Sequence, residues 1–132
     1  MNSQTKPDVE YLTPEHMKGL PLPFSIAVRV DKMLYLSGMM GIDSSMKLVP
    51  GGITAETRQA MENIKATLEG YGSSLDHVIK VTVMLSDMSE WEEMNEVYMT
   101  YFPKHLPARS ALGANGLAFG GRVEIECIAV LK

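Results

Sequence analysis

Apolar residues along this chain follow two rhythms. Val78–Ser86 and Val123–Val130 alternate in and out with a period of two, while residues 54–72 and 89–102 repeat apolar positions at spacings of three and four. The first rhythm is that of strands with one buried face, the second that of amphipathic helices. Two further apolar runs, Phe24–Val30 and Met33–Met39, flank Asp31-Lys32 and read as a hairpin, although Asp-Lys is a weaker turn signal than Asn-Gly. Gly38, Gly41, Gly51 and Gly52 bracket a loop with a turn at Asp43-Ser-Ser.

The first helix is expected to start near Thr54 as N-cap, with Glu56 in the first turn where the helix dipole favours a carboxylate. Ala60, Met61, Ile64, Thr67, Leu68 and Tyr71 make its apolar stripe; Arg58, Glu62, Lys65 and Glu69 face water, and Gly70 and Gly72 end it. In the strand that follows, Ile79, Val81, Val83 and Leu85 share a face opposite Lys80, Thr82 and Met84. Ser89 with Glu92 has the pattern of a capping box and opens the second helix. Trp91, Met94, Val97, Tyr98, Tyr101 and Phe102 form its buried stripe, and Pro103 stops it. The stretch Pro107–Val130 then reads as two short strands joined by the glycine-rich loop Ala-Asn-Gly-Leu-Ala-Phe-Gly-Gly.

The predicted order is β-β-α-β-α-β-β, an α+β fold with a single mixed sheet and both helices packed on one face. Residues 1–132 read as one domain, of which 1–23, punctuated by Pro7, Pro14, Pro21 and Pro23, form an extended lead-in with room for a short strand at Val9–Leu12. The sheet face without helices still carries Met84, Ile128, Val130 and the alternates of the hairpin, so a second copy of the chain is expected to cover it.

Composition narrows the functional classes. A net charge of −4 with scattered lysines leaves no electrostatic footprint for nucleic acid. A single cysteine, Cys127, rules out an intrachain disulfide or a cysteine-rich zinc site, and the expected compartment is the cytoplasm. The opening residues have no apolar run of a signal peptide, and no apolar run reaches the length of a membrane span. The eleven methionines read as core filler. His16, His77 and His105 share no metal-binding spacing, so no metal is expected.

Arg109, at the start of a strand in apolar surroundings, has two readings: an interface ion pair, or a fork holding a substrate carboxylate. Glu124 and Glu126 point the same way from one strand, as an exposed or ion-paired face or as a carboxylate that orients water. Read as a strand pair, the C-terminal stretch brings Glu124 toward Arg109. Ser37-Gly38 at a strand end offers backbone to a ligand. Cys127, on the apolar face, reads as a buried inert thiol.

At Ser37-Gly38, Thr57-Arg-Gln with Glu62-Asn-Ile-Lys65, Val81-Thr-Val83, Asn95-Glu-Val-Tyr98, Phe102-Pro103, Pro107-Ala-Arg-Ser110 and Val123–Val130, the chain resembles the YjgF/RidA family of small trimeric proteins. The last two blocks, at this separation, are specific to it. The resemblance implies a chorismate-mutase-like fold, a homotrimer with three clefts between subunits, and hydrolysis of 2-imino acids or their enamine tautomers to 2-keto acids and ammonia, with no cofactor, no nucleic acid and no membrane. It implies that Arg109 holds the substrate carboxylate, that Glu124 positions water, that the backbone of Ser37 and Gly38 meets the ligand, and that Asn95 lies near the cleft. Three positions depart from the best-known deaminases: Phe24 replaces a tyrosine lining the cleft, Met39 a glutamine, and Ala111 a cysteine found in some members. Those changes make the cleft less polar and leave open deamination of a different enamine, such as an aminomuconate-like one. A non-catalytic protein that binds small carboxylates is a further reading. The ribonuclease or translation-inhibitor role often attached to the family fits the acidic charge poorly.

Overall fold

The computed structural model describes residues 6–132; the first five residues of the lead-in lie outside the described residues. Seven strands and two α-helices follow one another as β1 (Val9–Leu12), β2 (Ala27–Val30), β3 (Met33–Leu36), β4 (Met39–Met40), α1 (Gly52–Gly70), β5 (Val78–Leu85), α2 (Trp91–Met99), β6 (Ala108–Gly113) and β7 (Val123–Val130). They form a single mixed sheet in the order β1-β2-β3-β7-β5-β6, with β4 also paired to β7. Every pairing is antiparallel except β5 with β6, which α2 joins as a crossover.

β7 runs through the middle of the sheet because its first face is apolar throughout. Val123, Ile125, Cys127 and Ala129 are buried, as the period of two predicts, and they share the core with Leu34, Leu36, Val81, Val83 and the helix residues Met61, Ile64, Leu68 and Met94. The opposite face is the open one expected from the alternation. It carries the half-exposed Tyr35 and Leu112 beside the partly buried Met84, Ile128 and Val130. No helix among the described residues is long and apolar enough to cross a membrane.

One topological expectation fails, and it matters for the site. β6 and β7 are not a strand pair: β5 lies between them. Parallel docking on β5 after the α2 crossover places β6 at the sheet edge, and residues 114–122 then carry the chain across the end of β5 to β7. The glycine-rich loop therefore spans two strand spacings instead of turning a hairpin.

Smaller departures have local causes. A bulge between Val78 and Lys80 breaks the alternation of β5, so Ile79 points outward at 46% exposure and Val78 takes its place in the core. β2 begins at Ala27, which leaves Phe24 outside the sheet and 50% exposed. β3 stops at Leu36, where Ser37-Gly38 interrupts the expected run before β4 resumes at Met39. α1 starts two residues before Thr54: Gly51, with φ 116°, takes the N-cap in a left-handed conformation open to glycine. α2 begins at Trp91 rather than Ser89, and its N-cap Glu90 makes no side-chain cap. Asp87 instead caps the 3-10 turn before the helix, its carboxylate accepting from the Ser89 N–H at 2.9 Å. Trp91, expected inside, is 40% exposed. Tyr101 is half-buried and donates its hydroxyl hydrogen to Glu62.

Candidate active site

α2 presents Trp91, Asn95 and Tyr98 at spacings of four and three, which places them on one stripe of the helix. Arg109, the second residue of β6, pairs in register with the buried Val81, so it leaves the sheet on the helix side and runs into that stripe. Its guanidinium donates to Asn95 Oδ1 at 2.6 Å. Its central carbon lies 4.8 Å from the ring centre of Tyr98 and 5.8 Å from that of Trp91. No carboxylate among the described residues pairs with it. A cavity of about 250 Å³ opens beside the guanidinium, lined by Asn95, Tyr98, Met99, Leu106, Pro107 and Arg109 itself. A cation in a largely apolar pocket, held only by neutral groups, keeps its charge for an incoming anion.

Glu124 leaves β7 on the opposite face, beside Glu126 two residues on. Its carboxylate lies over Gly38: a methyl group at that glycine would collide with it. Ser37 is fixed against the start of the hairpin, where its N–H donates to the Ile26 carbonyl and its hydroxyl donates to the Ser25 carbonyl at 2.6 Å. The serine hydroxyl is therefore engaged within the fold. A buried carboxylate anchors this region from below. Glu56, 5% exposed, accepts the Arg122 N–H at 2.8 Å at the foot of β7, and its backbone packs on Gly41 just beyond β4. The dipole position predicted for Glu56 is thus a hydrogen-bonding position in the core.

Burial, and then the neighbouring Glu126 charge, raise the Glu124 carboxyl above its ordinary value. A carboxyl raised on folding favours the protonated form, so its contribution to stability is present in acid and lost as pH rises through the folded value. The basic form that can take a proton from water is lost in the other direction, as pH falls through that value. Glu126→Gln should bring the Glu124 titration down part of the way, because burial, the larger cause, remains. A ¹³C NMR titration of the Glu124 carboxyl reads the shift directly; no downward movement would mean the two carboxylates do not interact.

The expected residues thus assemble into two groups. Arg109, Asn95 and Ala111 lie at the β6–α2 side, with Ala111 paired to Val83 and packed on the core. Ser37, Gly38 and Glu124 meet on the other side, while Met39, paired with the buried Ile125, packs on the core and Met40 pairs with Glu124. The groups do not meet within one chain. Arg109 is level with Cys127 across Val81, so Glu124 lies two strands and three residues away, about 10 Å across and about 10 Å along the sheet, and on its opposite face. Phe24 stands apart from both, lining a separate cavity of about 190 Å³ with Thr13, Met17, Lys18, Leu20 and Leu22. Cys127 is buried, and burial pushes its thiol up to about 12. Among the described residues no three histidine, cysteine or acidic side chains are grouped to hold a metal.

Trp91 and Tyr98 were not among the site residues expected from sequence. Both sit in an apolar helical stripe that reads as core, and only the parallel docking of β6 shows that a guanidinium lies on them.

Comparison with known proteins places this geometry in context. Residues 20–131 match the profile of the family described as Endoribonuclease L-PSP. The chain is 48% identical over 109 residues to the 2-iminobutanoate/2-iminopropanoate deaminase of Mus musculus, covering 82% of this chain and 81% of the mouse protein. Among solved structures it is similar to YEO7_yeast, with TM-score 0.88, 35% identity and coverage of 95% of this chain and 100% of the yeast chain. It is also similar to RidA from the Antarctic bacterium Psychrobacter sp. PAMC 21119, with TM-score 0.84, 36% identity and coverage of 92% and 99%.

Proposed function

The chain belongs to the Endoribonuclease L-PSP family, the YjgF/RidA proteins, and on that premise we propose that it hydrolyses reactive 2-imino acids to 2-keto acids and ammonia in clefts between the subunits of a homotrimer. The observation that carries this reading is the placement of Arg109 and Glu124 on opposite faces of one sheet, each in a half-built site. A second copy set against the open face would bring its own group to the first copy's group. The apolar residues left on that face give the copies a reason to associate.

In such a cleft Arg109 of one subunit holds the substrate carboxylate through the N–H groups that Asn95 leaves open. Glu124 of the next subunit takes a proton from a water molecule as the water oxygen bonds to the iminium carbon. The proton passes to the nitrogen of the tetrahedral intermediate, and the C–N bond breaks as the hydroxyl gives its proton back to Glu124 and becomes the keto oxygen. Ammonia and the keto acid leave, and Glu124 returns the proton to water. Imines hydrolyse readily in water, so the protein need supply only orientation and modest electrostatic help. No step requires a metal or organic cofactor. The replacements at Phe24, Met39 and Ala111 leave Arg109 and Glu124 in place and bear on substrate preference, an aminomuconate-like enamine included. A single buried thiol suits a reducing cytoplasm. The net charge of −4 gives nucleic acid no purchase, which sets the ribonuclease reading behind the deaminase one.

The test is competition for a freshly generated imine. An amino-acid oxidase makes 2-iminopropanoate or 2-iminobutanoate, semicarbazide traps it, and the chain should lower the yield of semicarbazone in proportion to its concentration. Unchanged semicarbazone with folded protein present would remove this substrate class, and Arg109-dependent binding of pyruvate without turnover would then favour a protein that only binds small carboxylates.

A further inference from the structure

The least expected feature of the site is what holds Arg109. Strand arginines near an interface are ordinarily balanced by carboxylates, yet here the charge meets one amide oxygen and two aromatic faces, all from a single helical stripe. Trp91 keeps 40% of its surface in water to lie against the guanidinium, at a helix position where the sequence pattern puts a core residue. Tyr98 is buried, its hydroxyl makes no well-formed hydrogen bond, and its ring centre lies 4.8 Å from the guanidinium carbon. Burial pushes that hydroxyl up to about 12, which keeps the ring neutral under the cation. Asn95 fixes one end of the fork, while the rings fix its plane.

From this we infer that Trp91 and Tyr98 are positioning residues: an aromatic clamp on α2 that presents the guanidinium of Arg109, flat and with its charge intact, to a carboxylate ligand. The inference rests on Arg109 being a carboxylate anchor and names what makes it one. A carboxylate in place of the rings would orient the fork equally well but cancel its charge, and an aliphatic residue would leave the charge but not the plane. Because the clamp acts through a contact made alike to bound substrate and to the transition state, its loss should appear in KM more than in kcat.

Trp91 is the residue to change, since its exposure means that its variants should fold. Trp91→Leu should weaken pyruvate binding, measured by calorimetry on the full-length protein, by roughly five- to tenfold, the range of a half-exposed cation–π contact. The KM for 2-iminopropanoate should rise by a similar factor with kcat little changed. Trp91→Phe should restore most of the loss. Trp91 is also the chain's only tryptophan, so pyruvate should alter its emission with the calorimetric Kd, and should not do so in Arg109→Ala. Trp91→Leu with unchanged Kd and KM, or failure of phenylalanine to rescue it, would overturn the clamp while leaving imine hydrolysis by the wild type standing. Conversely, pyruvate binding that weakens in Trp91→Leu, in a protein that hydrolyses no imine, would keep the clamp and remove the deaminase reading. A wild type that neither binds pyruvate nor hydrolyses the imine would remove both.

Discussion

Arg109→Ala should lower kcat/KM for 2-iminopropanoate hydrolysis by roughly 10²- to 10⁴-fold. Asn95 occupies one terminal nitrogen of the guanidinium, which leaves N–H groups on the other nitrogens for two parallel bonds to a carboxylate. Each charge-assisted bond is worth about 1.5–3 kcal/mol, and about 1.4 kcal/mol corresponds to a factor of ten. Part of the loss should fall on kcat, because a substrate no longer tethered by its carboxylate does not hold its imine carbon before the water. The side chain lies at the sheet edge, outside the buried core, so the variant should keep its secondary structure and oligomeric state by circular dichroism and size exclusion. Arg109→Lys should recover little: an ammonium can sit over Tyr98 but cannot fork onto two oxygens while donating to Asn95. Activity within threefold or so of wild type in either variant would mean that the carboxylate is held elsewhere.

How much of this was legible in the sequence depends on the range over which the physics acts. The alternation of β7 and the stripes of both helices are local, and Val123, Ile125, Met61, Ile64 and Leu68 lie in the core where the periods put them. Arg109 and Glu124 also stood out locally, as charged residues in strands with apolar partners. Strand order is a different matter. Residues 108–113 and 123–130 read as a hairpin because neighbours in sequence usually pair, and nothing within either segment says that β5 will come between them. That one insertion moves Glu124 from the strand beside Arg109 to two strands away, and the register of β5 with each sets the two side chains on opposite faces. Ile79 shows the same limit on a smaller scale: a bulge of one residue shifts the phase at the start of β5, leaving Val81, Val83 and Leu85 inside as expected, and alternation alone gives no sign of it. Trp91 was misplaced for the opposite reason. A helical stripe records which residues avoid water, and a guanidinium lying on one face lets tryptophan stay partly exposed at such a position.

The topology has a consequence that separates a cleft between chains from a site within one. Arg109→Ala and Glu124→Gln should each be close to inactive alone, yet a mixture assembled from both chains should regain activity. In the proposed cleft the arginine comes from one copy and the glutamate from the next, so a cleft formed by the Glu124→Gln chain donating Arg109 and the Arg109→Ala chain donating Glu124 would be intact. In a closed ring assembled at random from equal amounts, about a quarter of the clefts have that arrangement. The recovered kcat per cleft should therefore be about a quarter of wild type, with KM unchanged, because the intact clefts are wild-type clefts. Had β6 paired with β7, both groups would belong to one chain and no mixture of the two variants would contain a complete site. Mixed trimers isolated with two affinity tags, their composition checked by intact-complex mass spectrometry, exclude the inactive single-variant rings and should rise to about a third of wild type, since in either composition one cleft of three has the intact arrangement. Tag-purified mixed assemblies that stay as inactive as the single variants would place the two groups in one chain's own site, against the strand register, or take Glu124 out of the chemistry. Activity that returns at the expected fraction fixes both the partners in the reaction and the fact that they come from different copies.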